Sequence, residues 1–392
     1  MKIFHMGDWH IGKLVNGYYM TEDQGFLLEQ IFQSIKEEKP DVLIIAGDIY
    51  DRSVPPIHAI ELMNKSLRKI IVELKTPVIA IAGNHDSNER IGFGSEILKS
   101  SGLYLKGTLT PETEKITLKD EYGEVDFYPI PYVDPVIVRE FFEDKTIKNH
   151  DDAMGKIMES IKKDLDPTKR NIAIAHGYIT GFGKEGFEHL TESESEKPLS
   201  IGGSEYVSIE HFKEFHYTAL GHLHGPQKVG SNKARYSGSL MKYSFSEVNQ
   251  NKGITIVKMD KDGEVTIEFK PLKPLRDFRI IKGNLEDLIT KNNQESLNYE
   301  DYIKAELEDV GELIDPMAKL RAVYPNVMEL VRVERRERLK ISESKISSEQ
   351  IKQKSKLDLF EQFYEDMVGE KCNPQDILIM TDIIEKCERG GD

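Results

Sequence analysis

Five short apolar runs constrain this 392-residue chain more than any other feature of its sequence. They are KIFHMG (2–7), DVLIIAG (41–47), TPVIAIAG (76–83), NIAIAHG (171–177) and YTALGHLHG (217–225). A strand that is apolar at nearly every position is covered on both faces, as strands of parallel sheets are. Between the runs lie segments with helical spacing. Glu22–Lys39 carries Phe26, Leu27, Ile31 and Ile35, Pro56–Leu74 carries Ile60, Met63, Leu67 and Ile71, and a third segment runs around Glu89–Lys99. This alternation predicts βαβ units and a mainly parallel sheet with helices on both faces.

The chain has other textures too. ITLKDEYGEVDFYPI and GITIVKMDKDGEVTIEFKPL each read as a β-hairpin around a glycine-containing turn. The polar stretch GKEGFEHLTESESEKPLSIGGSEY reads as a long surface loop. After KPLKPLRDF (270–278) the pattern changes to a small α+β unit. Its strand candidates are RIIKG, DYIKAELE and VMELVRVER, and its helix candidates are Asn284–Lys291 and Ile314–Tyr324. The expected division is therefore 1–275, 276–338, a polar linker 339–350, and a helical tail 351–392. In the tail, Leu357, Phe360, Tyr364, Met367 and Val368 form one apolar stripe, and Ile377, Met380, Ile383 and Ile384 form another. Asn373–Pro374 reads as the cap and first residue of the last helix. Two short apolar-faced helices do not make a core alone, so they either dock on the body or bind a partner.

Length alone implies two or three domains. With 39% hydrophobic and 31% charged residues, the composition is that of a soluble globular protein. No run approaches the roughly 18 apolar residues of a membrane span. The start MKIFHMGDWH lacks the apolar core of a signal peptide, and the two cysteines, Cys372 and Cys387, argue against a disulfide framework. A reducing cytoplasm is the expected compartment. The net charge of −15 does not advertise nucleic-acid binding, nor does it exclude it, since metals or a local basic groove supply positive field where needed.

The chemistry sits where the apolar runs stop. They end in Asp8 and His10, in Asp48, in Asn84, His85 and Asp86, in His176, and in His222 and His224. Ligands of open α/β sheets bind at the carboxyl ends of strands, so these groups are expected to converge. His222 and His224, two residues apart, would face one spot. Imidazoles with carboxylate and amide oxygens, and no thiolate, suit divalent Mn, Fe, Zn or Co. Seven ligands, Asp8, His10, Asp48, Asn84, His176, His222 and His224, exceed the need of one catalytic ion. They suit two ions about 3.5–4 Å apart, which generate a nucleophile from water near neutral pH and clamp a phosphoryl transition state. His85 is left free for the phosphoryl or leaving oxygen, with Asp86 accepting its other N–H and Asp51 in a similar supporting place. Lys13, Asn16, Arg52, Ser53 and Arg90 lie in the adjoining loops and are phosphate-contact candidates. His5, His58, His189, His211 and His216 read as structural histidines, and Trp9 as packing.

D-x-H, G-D, G-N-H-D, H-G and G-H-x-H in this order resemble the calcineurin-like binuclear metallophosphoesterase superfamily. The words GDWHIGK, AGDIYDRSVPP, GNHDS, AHG, GHLHGPQ and RYSGSLMKYSF are similar to those of the SbcD family of bacterial nuclease subunits. The motifs cover about residues 1–246. The resemblance implies a metallophosphoesterase β-sandwich flanked by helices, a small capping domain that recognises DNA, and a tail that binds an SbcC-type ATPase. It implies a divalent-metal-dependent nuclease of DNA repair, recombination and replication, both double-strand 3′–5′ exonuclease and single-strand or hairpin endonuclease. It implies two cations, most often Mn²⁺ with Mg²⁺ an alternative. One would be held by Asp8, His10, Asp48 and His224, and the other by Asp48, Asn84, His176 and His222. His85 would be the non-ligand catalytic histidine. It further implies a homodimer within a heterotetramer, cytoplasmic and nucleoid-associated, with no membrane partner. Archaeal and eukaryotic relatives carry His where this chain has Asp51, which sets the role of that position apart.

Two other readings stand beside this one. A phosphoprotein phosphatase or small-molecule phosphodiesterase would use the same metal core without the extra domain or tail. A scaffold that lost catalysis would not be expected to keep the full ligand set and His85. The chain has no G-x-x-x-x-G-K-[ST] loop, so ATP use must come from a partner.

Overall fold

The five apolar runs are buried strands, but they divide between two sheets rather than sharing one. In the computed structural model, the first sheet begins with β1 (Lys2–Met6), β2 (Val42–Ala46), β3 (Val78–Ile81) and β4 (Leu103–Lys106). The chain then builds a second sheet from β5 (Ile116–Asp120), β6 (Gly123–Ile130), β7 (Arg170–His176), β8 (Tyr217–Gly221), β9 (Gln227–Val229) and β10 (Ser231–Tyr236). It returns through β11 (Gly253–Met259) and β12 (Val265–Pro271), so the first sheet has the order β12-β11-β1-β2-β3-β4. The second has the order β9-β10-β8-β7-β6-β5. Both sheets are mixed. The chemistry-bearing strands pair in parallel, β1 with β2 with β3, and β7 with β8, while the two expected hairpins supply antiparallel edges.

The apolar run of each central strand now has a physical cause. Ile3, Val42, Ile44, Ile79 and Ile81 meet Val125, Phe127, Ile172, Ile174, Tyr217 and Ala219 of the facing sheet in one core. Tyr128, Ile130, Ala173, Ala175 and Leu220 alternate to the outer side of the second sheet. There they pack with helices α5 (Pro135–Phe141) and α6 (His150–Ile161), through Val138, Ile157, Met158 and Ile161. Each such side chain contributes about 1.5–3 kcal/mol relative to leaving it in water.

Helix α1 (Thr21–Glu38) ends where Lys39 turns left-handed, and α2 (Ile57–Arg68) runs on into a π-helical turn, Lys69–Glu73. The segment around Glu89–Lys99 is two pieces, α3 (Asn88–Gly92) and α4 (Ser95–Leu98), because Gly94 between them takes φ 71°. The stretch read as a surface loop is partly structured. Phe182–Gly183 pairs with Gly186–Phe187, and Tyr206–Ser208 pairs with Tyr178–Thr180.

The structure describes residues 1–110, 114–183, 186–187, 190–199, 205–290, 298–333, 355–368 and 371–389. They fall into two units, Met1–Phe278 and Arg279–Asp392. The expected linker 339–350 lies outside the described residues, as does His189. The smaller unit carries a three-stranded sheet, β13 (Phe278–Gly283), β14 (Tyr302–Leu307) and β15 (Val327–Arg332), with α7 (Leu285–Thr290) and α8 (Pro316–Arg321). Leu285, Ile303, Ala305, Leu307, Leu320, Tyr324 and Val327 form its core. Helices α9 (Lys356–Val368) and α10 (Pro374–Arg389) touch each other. Asn373 caps the last helix, its side-chain oxygen accepting from the backbone of Gln375 and Asp376 at 2.9 Å each. Among the described residues no helix is long and apolar enough to cross a membrane.

Candidate metal centre

The ends of the five strands meet, and the register explains how. His176 at the end of β7 stands opposite Gly221 at the end of β8, so His176 and the His222–His224 pair leave the second sheet together. From the first sheet, the turns after β1 and β2 are tied backbone to backbone: the amides of Asp8 and His10 donate to the carbonyls of Gly47 and Asp48 at 3.0 and 2.9 Å. These turns are strained. Asp8, His10 and Asp48 take φ of 51°, 45° and 48°, and His222 takes 114°. Such values are uncommon for residues with a Cβ and persist only where the surroundings enforce them, which happens most often at functional sites.

The result is a cluster of acceptors with few donors between them. Asp8, His10 and His224 offer ligating atoms within 4.8 Å of one another, and so do Asp8, Asp48 and His176. The Nε2 atoms of His10 and His224 are 3.0 Å apart. Asp48 spans the cluster, with Oδ2 3.6 Å from His10 Nε2 and 3.5 Å from His176 Nε2. Its Oδ1 accepts the backbone amide of His85 at 2.9 Å. The His176 Nε2 lies 2.8 Å from Asn84 Oδ1, while its Nδ1 donates to the Ala46 carbonyl at 2.9 Å. That bond fixes the tautomer, leaving Nε2 as a lone pair for a guest. His222 completes the set, its ring 5.4 Å from that of His176 and its amide donating to Asp8. All seven expected ligands are in one place.

Electrostatics point the same way. Burial holds His10 and His222 well below the usual imidazole range, and it lowers His176 and His224 too. These rings are neutral and able to ligate. Burial, and then the adjacent Asp48 charge, push Asp8 up, because buried like charges repel. Neutral imidazole nitrogens, crowded carboxylates and the Asn84 amide oxygen are the donor set that divalent cations fit. Gly83 belongs to this crowding. A Cβ there would sit 2.2 Å from Asp48 Oδ1.

His85 stands beside the cluster without belonging to its buried floor. It is half-buried, its ring 4.7 Å from that of His10. Here the expected support is corrected. Asp86 does not orient His85; its carboxylate accepts the amides of Ile49, Tyr50 and Gly83 at 2.9–3.0 Å and braces the turn that carries Asp48. Burial and Asp48 together push Asp86 up to about 7. The His85 ring is held by Asp51, through the backbone: Nδ1 donates to the Asp51 carbonyl at 2.8 Å. The Asp51 carboxylate pairs instead with Lys13 at 2.8 Å and lies 3.5 Å from Arg52. It also lies within 4.8 Å of ligating atoms of His10 and His85.

The other phosphate-contact candidates ring this edge unevenly. Arg52 is exposed, and Arg90 donates to the Ser53 carbonyl at 2.8 Å. Asn16 occupies an exposed turn between the short strands Leu14–Val15 and Tyr18–Tyr19. Of the histidines read as structural, buried His5 bonds Tyr217 and the Leu220 carbonyl, and His211 bonds Asp151. Trp9 is fully buried packing.

Several supporting residues escaped the sequence reading. Buried Gln24 accepts the Gly12 amide and donates to the carbonyls of His10 and Trp9 and to the Tyr243 hydroxyl, clamping the strained Asp8–His10 turn. Ser195 and Glu196, from the stretch read as a surface loop, reach His224, as do Glu247 and Lys252. Gln24 carried no motif, and a Ser/Glu-rich segment looks the same whether it faces water or a metal ligand.

The calcineurin-like phosphoesterase family model matches residues 1–226. A second model, described as the type 5 capsule protein repressor C-terminal domain, matches residues 274–368. The chain is 37% identical over 370 residues to the SbcD component of the nuclease SbcCD from Staphylococcus epidermidis, covering 94% of each. The chain belongs to the SbcD family of nuclease subunits. A second SbcD relative, from Staphylococcus saprophyticus, is 39% identical over 84% of each chain. Among solved structures, a dimetal phosphatase from Danio rerio overlays 70% of this chain and 98% of its own at 9% identity, with a TM-score of 0.39. As an SbcD-family member the chain carries a calcineurin-like phosphoesterase core, and groups of residues that could hold a metal ion stand at the ends of its strands.

Proposed function

We propose that the chain cleaves DNA phosphodiester bonds with two divalent cations, most readily Mn²⁺, as the nuclease partner of an SbcC-type ATPase. The observation that carries this reading is the convergence of Asp8, His10, Asn84, His176, His222 and His224 around Asp48, with half-buried His85 beside them. Asp8, His10, Asp48 and His224 would hold one ion, and Asp48, Asn84, His176 and His222 the other. When bound, the ions supply Lewis-acid stabilisation of phosphoryl charge and an activated water.

The chain's own residues do the rest. His85 gives its Nδ1–H to Asp51, so its Nε2 edge is the one offered to a phosphoryl or leaving oxygen. Replacing His85 by Leu is expected to lower hydrolysis about 10²–10⁴-fold. Bound Mn²⁺ is expected to stay at the wild-type stoichiometry, which calorimetry checks alongside the rate.

Arg52, exposed and only loosely paired, is read as a phosphate contact. Arg52→Ala is expected to weaken DNA binding at every sequence and to reduce the salt slope of log K by about 1. Binding isotherms at several salt concentrations test this.

The assembly reading draws on exposed apolar residues. Val54, Ile57 and Ile60 stand out from the start of α2, and Phe93 and Ile97 from the segment that Arg90 ties to Ser53. They suit a homodimer contact. Phe363, Leu378, Ile379 and Ile383 are exposed on the terminal helix pair and suit an ATPase partner. The small unit is read as the capping, DNA-recognising part. A phosphoprotein phosphatase or small-molecule diesterase is not favoured, since the SbcD relatives match across 94% and 84% of the chain. Rates on linear DNA, a chromogenic diester and a chromogenic monoester separate the readings: the monoester as preferred substrate would favour the phosphatase.

A further inference from the structure

The word RYSGSLMKYSF and the polar segment around TESESE are not explained by the ligand set, yet both close on His224. Lys252 is buried and pairs with Glu247, itself fully buried, at 2.6 Å. Lys252 also donates to the His224 carbonyl at 2.7 Å, to Ser239 Oγ at 2.8 Å and to Gln250 at 2.7 Å. With an ammonium against it, Glu247 is a carboxylate and can only accept. Its Oε1 is 2.5 Å from Ser195 Oγ, so the serine hydroxyl must donate there. The same Oγ lies 2.7 Å from His224 Nδ1. Having given its only proton to Glu247, Ser195 can only accept from that nitrogen. His224 therefore carries its proton on Nδ1, and its Nε2 is a lone pair aimed at His10 and the cluster. From the other side Glu196 accepts the His224 amide at 2.6 Å. Backbone N–H, backbone carbonyl and ring are all held.

We infer that Ser195, Glu247 and Lys252 are positioning residues that fix the tautomer and direction of His224, so that the Ser/Glu-rich segment is a working wall of the metal centre. The inference rests on the proposed two-cation reading. It has a directional consequence, because the relay touches one ligand of one ion and leaves Asn84, His176 and His222 alone. Loss of an outer hydrogen bond of this kind costs about 10–100-fold in metal affinity.

The test is Mn²⁺ titration of the full chain by calorimetry, for wild type, Ser195→Ala, Ser195→Thr and Asp48→Ala. Ser195 is half-buried, and alanine removes only its hydroxyl. The expected result is two bound ions in wild type, with Ser195→Ala weakening one of them about 10–100-fold and sparing the other. Ser195→Thr, which keeps the hydroxyl, should restore the weakened ion. Raising Mn²⁺ should also recover the diester hydrolysis of Ser195→Ala, which damage to the fold would not allow. Wild type holding two ions while Ser195→Ala holds both equally well would overturn the relay alone. Equal weakening of both ions, or no rescue by threonine, would overturn it as well. Wild type binding no Mn²⁺, like Asp48→Ala, would overturn the cation reading beneath it.

Discussion

Asp48→Ala is expected to abolish hydrolysis and to remove both ions. The Asp48 carboxylate spans both halves of the cluster: Oδ2 lies about equally far from His10 and His176, at 3.6 and 3.5 Å, and Oδ1 holds the His85 amide. Alanine would delete the proposed shared ligand and leave that amide unpaired, loosening His85 at the same stroke. Lewis-acid stabilisation is worth several kcal/mol, and each 1.4 kcal/mol is tenfold, so the loss should reach about 10³-fold or more. Paired measurements of bound Mn²⁺ and diester turnover check this. A variant that kept one ion at wild-type affinity would show that Asp48 does not bridge.

Gly221→Ala should produce the largest loss of stability. A Cβ at this position would stand 1.8 Å from the Ala46 carbonyl oxygen and 3.0 Å from His176 Nδ1. The first obstacle is backbone of the opposite sheet, which cannot swing aside as a side chain can. Ala46 also accepts the bond that sets the His176 tautomer, so the sheets would separate where the ligands converge. Overpacking a rigid site costs about 1–3 kcal/mol and sometimes more. At about 2–4 °C per kcal/mol for a unit of this size, thermal unfolding should shift down by roughly 6–12 °C if the upper figure applies. An unchanged midpoint would mean that the sheets are less closely apposed at Gly221 than described.

The candidate centre was legible because its residues stand where hydrophobic patterning stops. Val42–Ala46 reads as a strand from apolarity alone, and Asp48 follows one glycine later; His176 likewise follows Arg170–Ala175. What patterning could not give was the partition of strands. A run apolar on both sides looks the same against a helix or a second sheet, so patterning alone suggested one mainly parallel sheet, while the family resemblance implied the two facing sheets that are found. Contacts behind the ligands were equally hidden, for they join distant positions. Ser195 meets Glu247 across 52 residues, and Gln24 meets Tyr243 across 219. Asp86 misled for a related reason. Its adjacency to His85 suggested a pair, but its carboxylate accepts three amides while the His85 ring donates to the Asp51 carbonyl, and a buried carboxylate takes the donors it is given.

The most direct test of two-cation DNA cleavage is digestion of end-labelled linear duplex DNA by the full chain, with Mn²⁺, with Mg²⁺ and with chelator, beside Asp48→Ala. A centre bridged by Asp48 predicts nucleotide release that requires the metal and vanishes in the variant. Release that persists in chelator or in Asp48→Ala would contradict it, and so would intact DNA under conditions where a small phosphate monoester is hydrolysed.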